Sequence, residues 1–106
     1  MSLLEIPTNS RVRSQIFEVD LGGVVYLLEV RWNEQLERYM LDVMDADGGA
    51  LLMGRVLEVD QDLFDRHRNT STLPDGQLIA LDTSGLGESC GLYELGGRVK
   101  LIYVEA

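Results

Sequence analysis

The stretch Gly22–Leu57, GGVVYLLEVRWNEQLERYMLDVMDADGGALLMGRVL, decides the fold. Val24, Tyr26, Leu28, Val30 and Trp32 fall at every second position in it. Strand side chains alternate between faces, so these five are expected to point together into a core. Tyr39, Leu41 and Val43 repeat the pattern after a polar turn, NEQLER, over Asn33–Arg38. Setting Trp32 opposite Tyr39 brings Val30 to Leu41 and Leu28 to Val43, which keeps every apolar partner on one face. A slip of one residue would expose the whole set. Asp45-Ala46-Asp47-Gly48-Gly49 then carries the Asp-Gly dipeptide that supplies positive φ in tight hairpins. Leu51–Leu57 returns as a third strand.

Outward from this meander, Gln15–Leu21 also alternates, with Phe17, Val19 and Leu21 on one side and Ile16 and Glu18 on the other. It is expected to enter a Gly22-Gly23 turn and pair with Val24–Trp32. Leu4–Ser14 mixes Pro7 with polar turn formers and reads as an extended arm rather than a core strand. Downstream, Asp60 is placed to cap a short helix through Leu63, Phe64 and His67, with acids early and Arg66 and Arg68 late, an order that suits the helix dipole. Asn69–Gly76 reads as a loop, Gln77–Asp82 as a short strand, and Thr83–Gly91 as a Gly- and Ser-rich loop. Gly97–Glu105 places Val99, Leu101 and Tyr103 on one face. The fold expected is mainly β, a small antiparallel barrel or sandwich built on β-hairpins with one short helix. Residues 1–14 are assigned to an N-terminal arm and 15–106 to a single β domain.

Composition narrows the function classes. At 106 residues the chain suffices for one domain, burying roughly 65% of its unfolded surface. Nine Lys and Arg against 18 Asp and Glu leave a net charge of −9. That balance opposes binding to nucleic-acid phosphates or to an anionic membrane surface. No apolar run approaches the length that spans a bilayer, and no basic-then-apolar leader is visible at the N-terminus. Cys90 is the sole cysteine, so no intrachain disulfide is expected, which suits a reducing compartment.

The motifs that touch on chemistry are weak. Asp45, Asp47 and Gly48 match part of a calcium loop, but that spacing requires an acid at 43 and a Glu at 54, where Val43 and Gly54 stand. Gly91–Arg98, GLYELGGR, lacks the Lys-Ser/Thr of a phosphate loop and reads as the approach to a strand. Ile79-Ala80-Leu81-Asp82-Thr83 resembles the lead-in to the Asp-Thr-Gly loop of retroviral-type homodimeric aspartic proteases, where paired Asp residues share a proton. Here Ser84 delays the glycine to Gly85, and the protease is the runner-up reading. His67 is the only histidine, which excludes a His-based triad and a multi-histidine metal site. Cys90 has no neighbouring basic residue in sequence to activate it. Arg31 and Asp42 project from the same side of the first hairpin and are expected to pair diagonally.

Taken in order, Phe17, Leu21-Gly22-Gly23, Arg31-Trp32-Asn33, Leu41-Asp42, Asp45-Ala46-Asp47-Gly48, Pro74-Asp75-Gly76, Asp82-Thr83-Ser84-Gly85, Leu95-Gly96 and Arg98-Val99 with Leu101 and Tyr103 carry a resemblance. The string resembles the baseplate plug proteins of contractile-tailed phages, from about Gln15 to Tyr103. It departs where Asp75 separates Pro74 from Gly76 and where Met40 replaces an expected aromatic residue. The resemblance implies a non-enzymatic structural virion protein without catalytic, cofactor or metal residues. It implies hub, spike, tail-tube or other baseplate proteins as partners, with self-association as a further option; the acidic charge is what speaks against direct contact with nucleic acid or membrane. The location it implies is the tail baseplate of a phage or prophage, reached from the bacterial host cytoplasm during assembly. A small β-barrel adaptor of unrelated origin is the remaining alternative.

Overall fold

The computed structural model describes residues 3–64 and 73–105. Among them are seven strands: β1 (Leu3–Ile6), β2 (Ser14–Leu21), β3 (Val24–Asn33), β4 (Arg38–Asp45), β5 (Ala50–Val56), β6 (Gln77–Asp82) and β7 (Val99–Val104). They form two antiparallel sheets, ordered β2-β3-β4-β5 and β1-β7-β6.

The central hairpin adopts the expected register, with Trp32 opposite Tyr39, Val30 opposite Leu41 and Leu28 opposite Val43. The Trp32 and Tyr39 rings meet edge to face, centroids 5.0 Å apart and planes at 72°, the arrangement favoured by aromatic quadrupoles. Tyr26, Leu28, Val30, Tyr39, Leu41 and Val43 are buried, and Leu78, Ala80, Val99, Leu101 and Tyr103 of the second sheet join the same core. Two of the five inward residues of β3 sit less deeply than expected. Val24, beside the Gly22-Gly23 turn, is 53% exposed, and Trp32 is only half-buried at the other end of the strand. Both lie near the ends of β3.

Two further expectations change. Residues 3–6 are expected in an arm outside the core, yet Leu3–Ile6 pairs with β7, Leu3 opposite Val104 and Ile6 opposite Leu101, and Ile6 is buried. Leu3 and Leu4 are both exposed, so the stretch shows no alternation that sequence could register. No helix forms among the described residues; His67 with its flanking arginines, and the first half of the expected 69–76 loop, lie outside them. Asp60 adopts a left-handed backbone, φ 59°. Its N–H donates to the Ala80 carbonyl at 2.8 Å, and the Leu63 N–H donates to the Leu78 carbonyl at 2.7 Å. The chain here runs along β6, with bridges from Val59 to Ala80 and Asp62 to Ile79. The acids that resembled a helix start bind strand backbone instead: Asp62 Oδ1 accepts from Phe64 N–H and Leu78 N–H, and Asp60 Oδ1 accepts from Asp82 N–H.

Candidate functional site

The densest polar cluster is built where β6 ends and β7 begins. Asp82 closes β6 with its side chain buried, and Arg98 stands immediately before β7. Antiparallel pairing of Asp82 with Val99 brings the two together. Arg98 Nη1 lies 2.7 Å from Asp82 Oδ1. Its Nε donates to Glu94 Oε2 at 3.0 Å, and its Nη2 donates to the Ser89 carbonyl at 2.7 Å. Asp82 also accepts from Ser84 Oγ at 2.7 Å, Ser84 N–H at 3.0 Å and Glu88 N–H at 2.8 Å. Thr83 N–H returns a bond to the Arg98 carbonyl at 3.0 Å. One guanidinium and one carboxylate therefore hold the loop between the two strands, and the buried carboxylate finds its partners in the loop backbone and the arginine.

This geometry answers the motifs. Burial alone would push the Asp82 carboxyl up. Hydrogen bonds from Ser84 and Glu88, with the Arg98 guanidinium, outweigh it and hold the carboxyl well below the usual carboxylate range. An aspartic protease needs a carboxylate that shares a proton with its twin and reaches water. Asp82 instead faces an arginine and is enclosed. In Gly91–Arg98, Glu94 Oε1 accepts the Gly91 N–H at 2.7 Å, so a side chain of the loop occupies the donor that an anion would use. Arg98 and this N–H hold the Glu94 carboxyl below its ordinary range. Burial, then the nearby Glu94 charge, push the Cys90 thiol up to about 12, and it stays protonated near neutral pH. In the Asp45–Gly49 turn, Asp45 Oδ1 accepts from the Asp47 and Gly49 N–H groups, a hairpin lock. No three His, Cys, Asp or Glu side chains converge to hold a metal ion among the described residues.

The expected diagonal pair is present. Arg31 stands opposite Met40 and forms an ion pair with Asp42, two residues along. Asp42 is almost fully buried, and its other oxygen accepts the Gly54 N–H at 2.7 Å, where β5 slips in register. The pairing is legible in sequence; Gly54 as third member is not, because the register shifts of β5 break the regular alternation that would place it. Sequence reasoning misses Arg98 as the centre of the polar cluster. Its only signal there is a lone arginine ahead of an alternating strand.

A pH dependence follows. Asp82 and Glu94 both have depressed folded-state values, so the stability they contribute is present above the ordinary carboxyl range and lost as pH falls through it. The urea midpoint is expected to hold from neutral pH to about 5 and to fall below about pH 4. Asp82→Asn is expected to be less stable at neutral pH and to show a shallower acid decline. An unchanged acid decline in that variant would remove Asp82 from this account.

Two open cavities flank the sheets. One, of about 330 Å³, lies between the Gly22 turn and the 73–75 segment, lined by Leu21, Val24, Tyr26, Pro74, Asp75 and Tyr103 among others. The second, of about 400 Å³, runs along Leu51–Val56 of β5. Neither brings a nucleophile and a base together. No curated protein matches the chain. A protein-family model described as "Cyanophage baseplate Pam3 plug gp18" matches residues 3–106.

Proposed function

We propose a function from one premise: the chain belongs to the family of cyanophage baseplate plug proteins. The family match over residues 3–106 carries the reading, since it spans both sheets and every loop between them. The chain is a structural component of a contractile-tail baseplate, and its work is to contact other baseplate proteins. It occupies the central channel as a plug, held by hub, spike or tail-tube proteins, and reaches that place from the host cytoplasm during assembly. It carries out no reaction. In support, Asp82, Arg98 and Glu94 are engaged with one another and with the loop they hold. The net charge of −9 supports the same role: a wall on the path of DNA that repels phosphates does not retain the genome as it passes.

Deletion of the gene from the phage or prophage that carries it, followed by electron microscopy of the lysate, tests the role. Absent or defective baseplates and loss of infection are expected. Intact, contractile and infectious tails assembled without the protein would overturn the assignment.

A further inference from the structure

The two sheets have four outer strands, finished in different ways. The outer edge of β6 is occupied by the Val59 and Asp62 bridges. The ladder of β5 is broken by register shifts, and Asp42 takes the Gly54 N–H there. β1 is only four residues long. Covering, bulging, shortening and charged side chains are the usual ways to keep a sheet edge from pairing with another chain. β2 is not covered, bulged or short, and its charges are Glu18 and Asp20 on the outer face, which bar an acidic strand and admit a basic one. It runs for eight residues, Ser14–Leu21, in unbroken register with β3 and without proline or lysine.

The phase of its hydrogen bonds can be fixed. Trp32 N–H donates to the Arg13 carbonyl at 2.8 Å, which extends the β2–β3 ladder by one position. Bonded and non-bonded pairs alternate along an antiparallel ladder. Gln15, Phe17 and Val19 therefore bond to β3, and the backbone N–H and C=O groups of Ile16, Glu18 and Asp20 point away from the sheet.

The side chains along this edge are sorted by chemistry. Phe17 and Val19 face the core but stay half-buried, because no strand lies beyond them. On the other face Ile16 is 59% exposed, and Glu18 and Asp20 are exposed beside it. Glu29 stands opposite Ile16 on β3. The neighbouring cation, Arg31, is paired with Asp42. No ion pair among the described residues involves Glu18, Asp20 or Glu29.

We propose that the β2 edge is completed by an extended strand of another protein, with apolar side chains on its core-facing side and lysine or arginine on its outer side. Its backbone meets the outward groups of Ile16, Glu18 and Asp20, its apolar residues cover Phe17 and Val19, and its cations answer the three acids. Strand addition of this kind draws affinity from backbone bonds and specificity from alternate side chains. A second copy of this chain does not fit. Pairing β2 with β2 would gather two sets of Glu18 and Asp20 along one face, where like charges destabilise. The inference deepens the assembly role and rests on it only for where the partner resides.

The test uses the full chain and two short end-blocked peptides, one alternating valine with lysine and one alternating valine with glutamate. The lysine peptide is expected to bind and to slow amide exchange at Ile16, Glu18 and Asp20. Ile16→Pro removes one outward N–H and keeps the acids and the bonds to β3, and it is expected to abolish binding. Glu18→Lys is expected to weaken the lysine peptide by about tenfold and to narrow its advantage over the glutamate peptide. The proposal is overturned by equal binding of the two peptides, by no binding, by binding unchanged in Ile16→Pro, or by self-association through β2 in sedimentation. Failure of the peptide to bind would leave the deletion phenotype untouched, so the edge and the baseplate role are tested separately.

Discussion

Tyr39→Ala is expected to destabilise the chain by about 3–5 kcal/mol, and Tyr39→Phe by about 1 kcal/mol. Tyr39 is 1% exposed, and its ring receives the edge-to-face contact with Trp32. Truncation to alanine removes that contact and leaves a cavity in the core. The hydroxyl plays a separate part. It accepts the Tyr93 N–H at 3.0 Å, joining the first sheet to the loop before β7. Burial pushes the phenol up, so it stays protonated in the neutral range. Tyr39→Phe keeps the ring and deletes only this bond. The orphaned N–H belongs to Tyr93, which is exposed and can turn to water, so its cost sits in the ordinary range for one hydrogen bond. Urea unfolding of the two variants, with an unchanged denaturant slope, measures the difference. Equal losses would mean that the link to Tyr93, and not the packing of the ring, dominates at this position.

Gly76→Ala is expected to cost about 3 kcal/mol, the upper end of overpacking effects. Gly76 is buried beside β7, and its N–H donates to the Tyr103 hydroxyl at 3.0 Å. A Cβ at this position would strike the Val104 carbonyl oxygen and lie 2.6 Å from Tyr103 Cζ and Oη. The carbonyl is backbone of the strand next door, so relief requires β6 and β7 to separate. Tyr103→Phe clears the hydroxyl and leaves both the carbonyl and the ring in place. The double variant is therefore expected to be no more stable than Gly76→Ala alone, as read by urea midpoints. Recovery in the double variant would show that the hydroxyl alone makes the site tight. The constraint also gives the Pro74-Asp75-Gly76 loop a physical reason for its glycine: the chain passes β7 too closely for any side chain.

The parts of the fold that are legible in sequence are those where neighbours in space are neighbours in the chain. The β3–β4 register can be set from Trp32, Val30 and Leu28 because their partners follow within a few turns of chain and share one face. The same holds for Phe17, Val19 and Leu21 on β2. What escapes depends on distant pairing. Leu3–Ile6 is a strand only because β7 accepts it. Asp60 and Asp62 carry the local signature of a helix start, but β6 lies alongside, and its Leu78 and Asp82 N–H groups take the place of the first-turn N–H groups that a capping acid would bind. At the polar cluster, sequence points to Asp82 and not to Arg98, since nothing in the spacing between them announces that they meet. The cluster then changes meaning: an aspartate set like a protease residue serves as the clasp of a loop.

The pairing of Leu3 with Val104 has a consequence in time. β2, β3, β4 and β5 succeed one another as hairpins, and such local pairings close quickly because each needs only a short loop. β1 is made first but finds its partner last, since β7 must leave the ribosome before Leu3–Ile6 has anything to join. Until then β6 also lacks its neighbour in the sheet, and Leu78 and Ala80 lack the cover that β7 gives them. The first sheet is thus a chain of local pairings, whereas the second is complete only when the two ends of the described chain meet on β7.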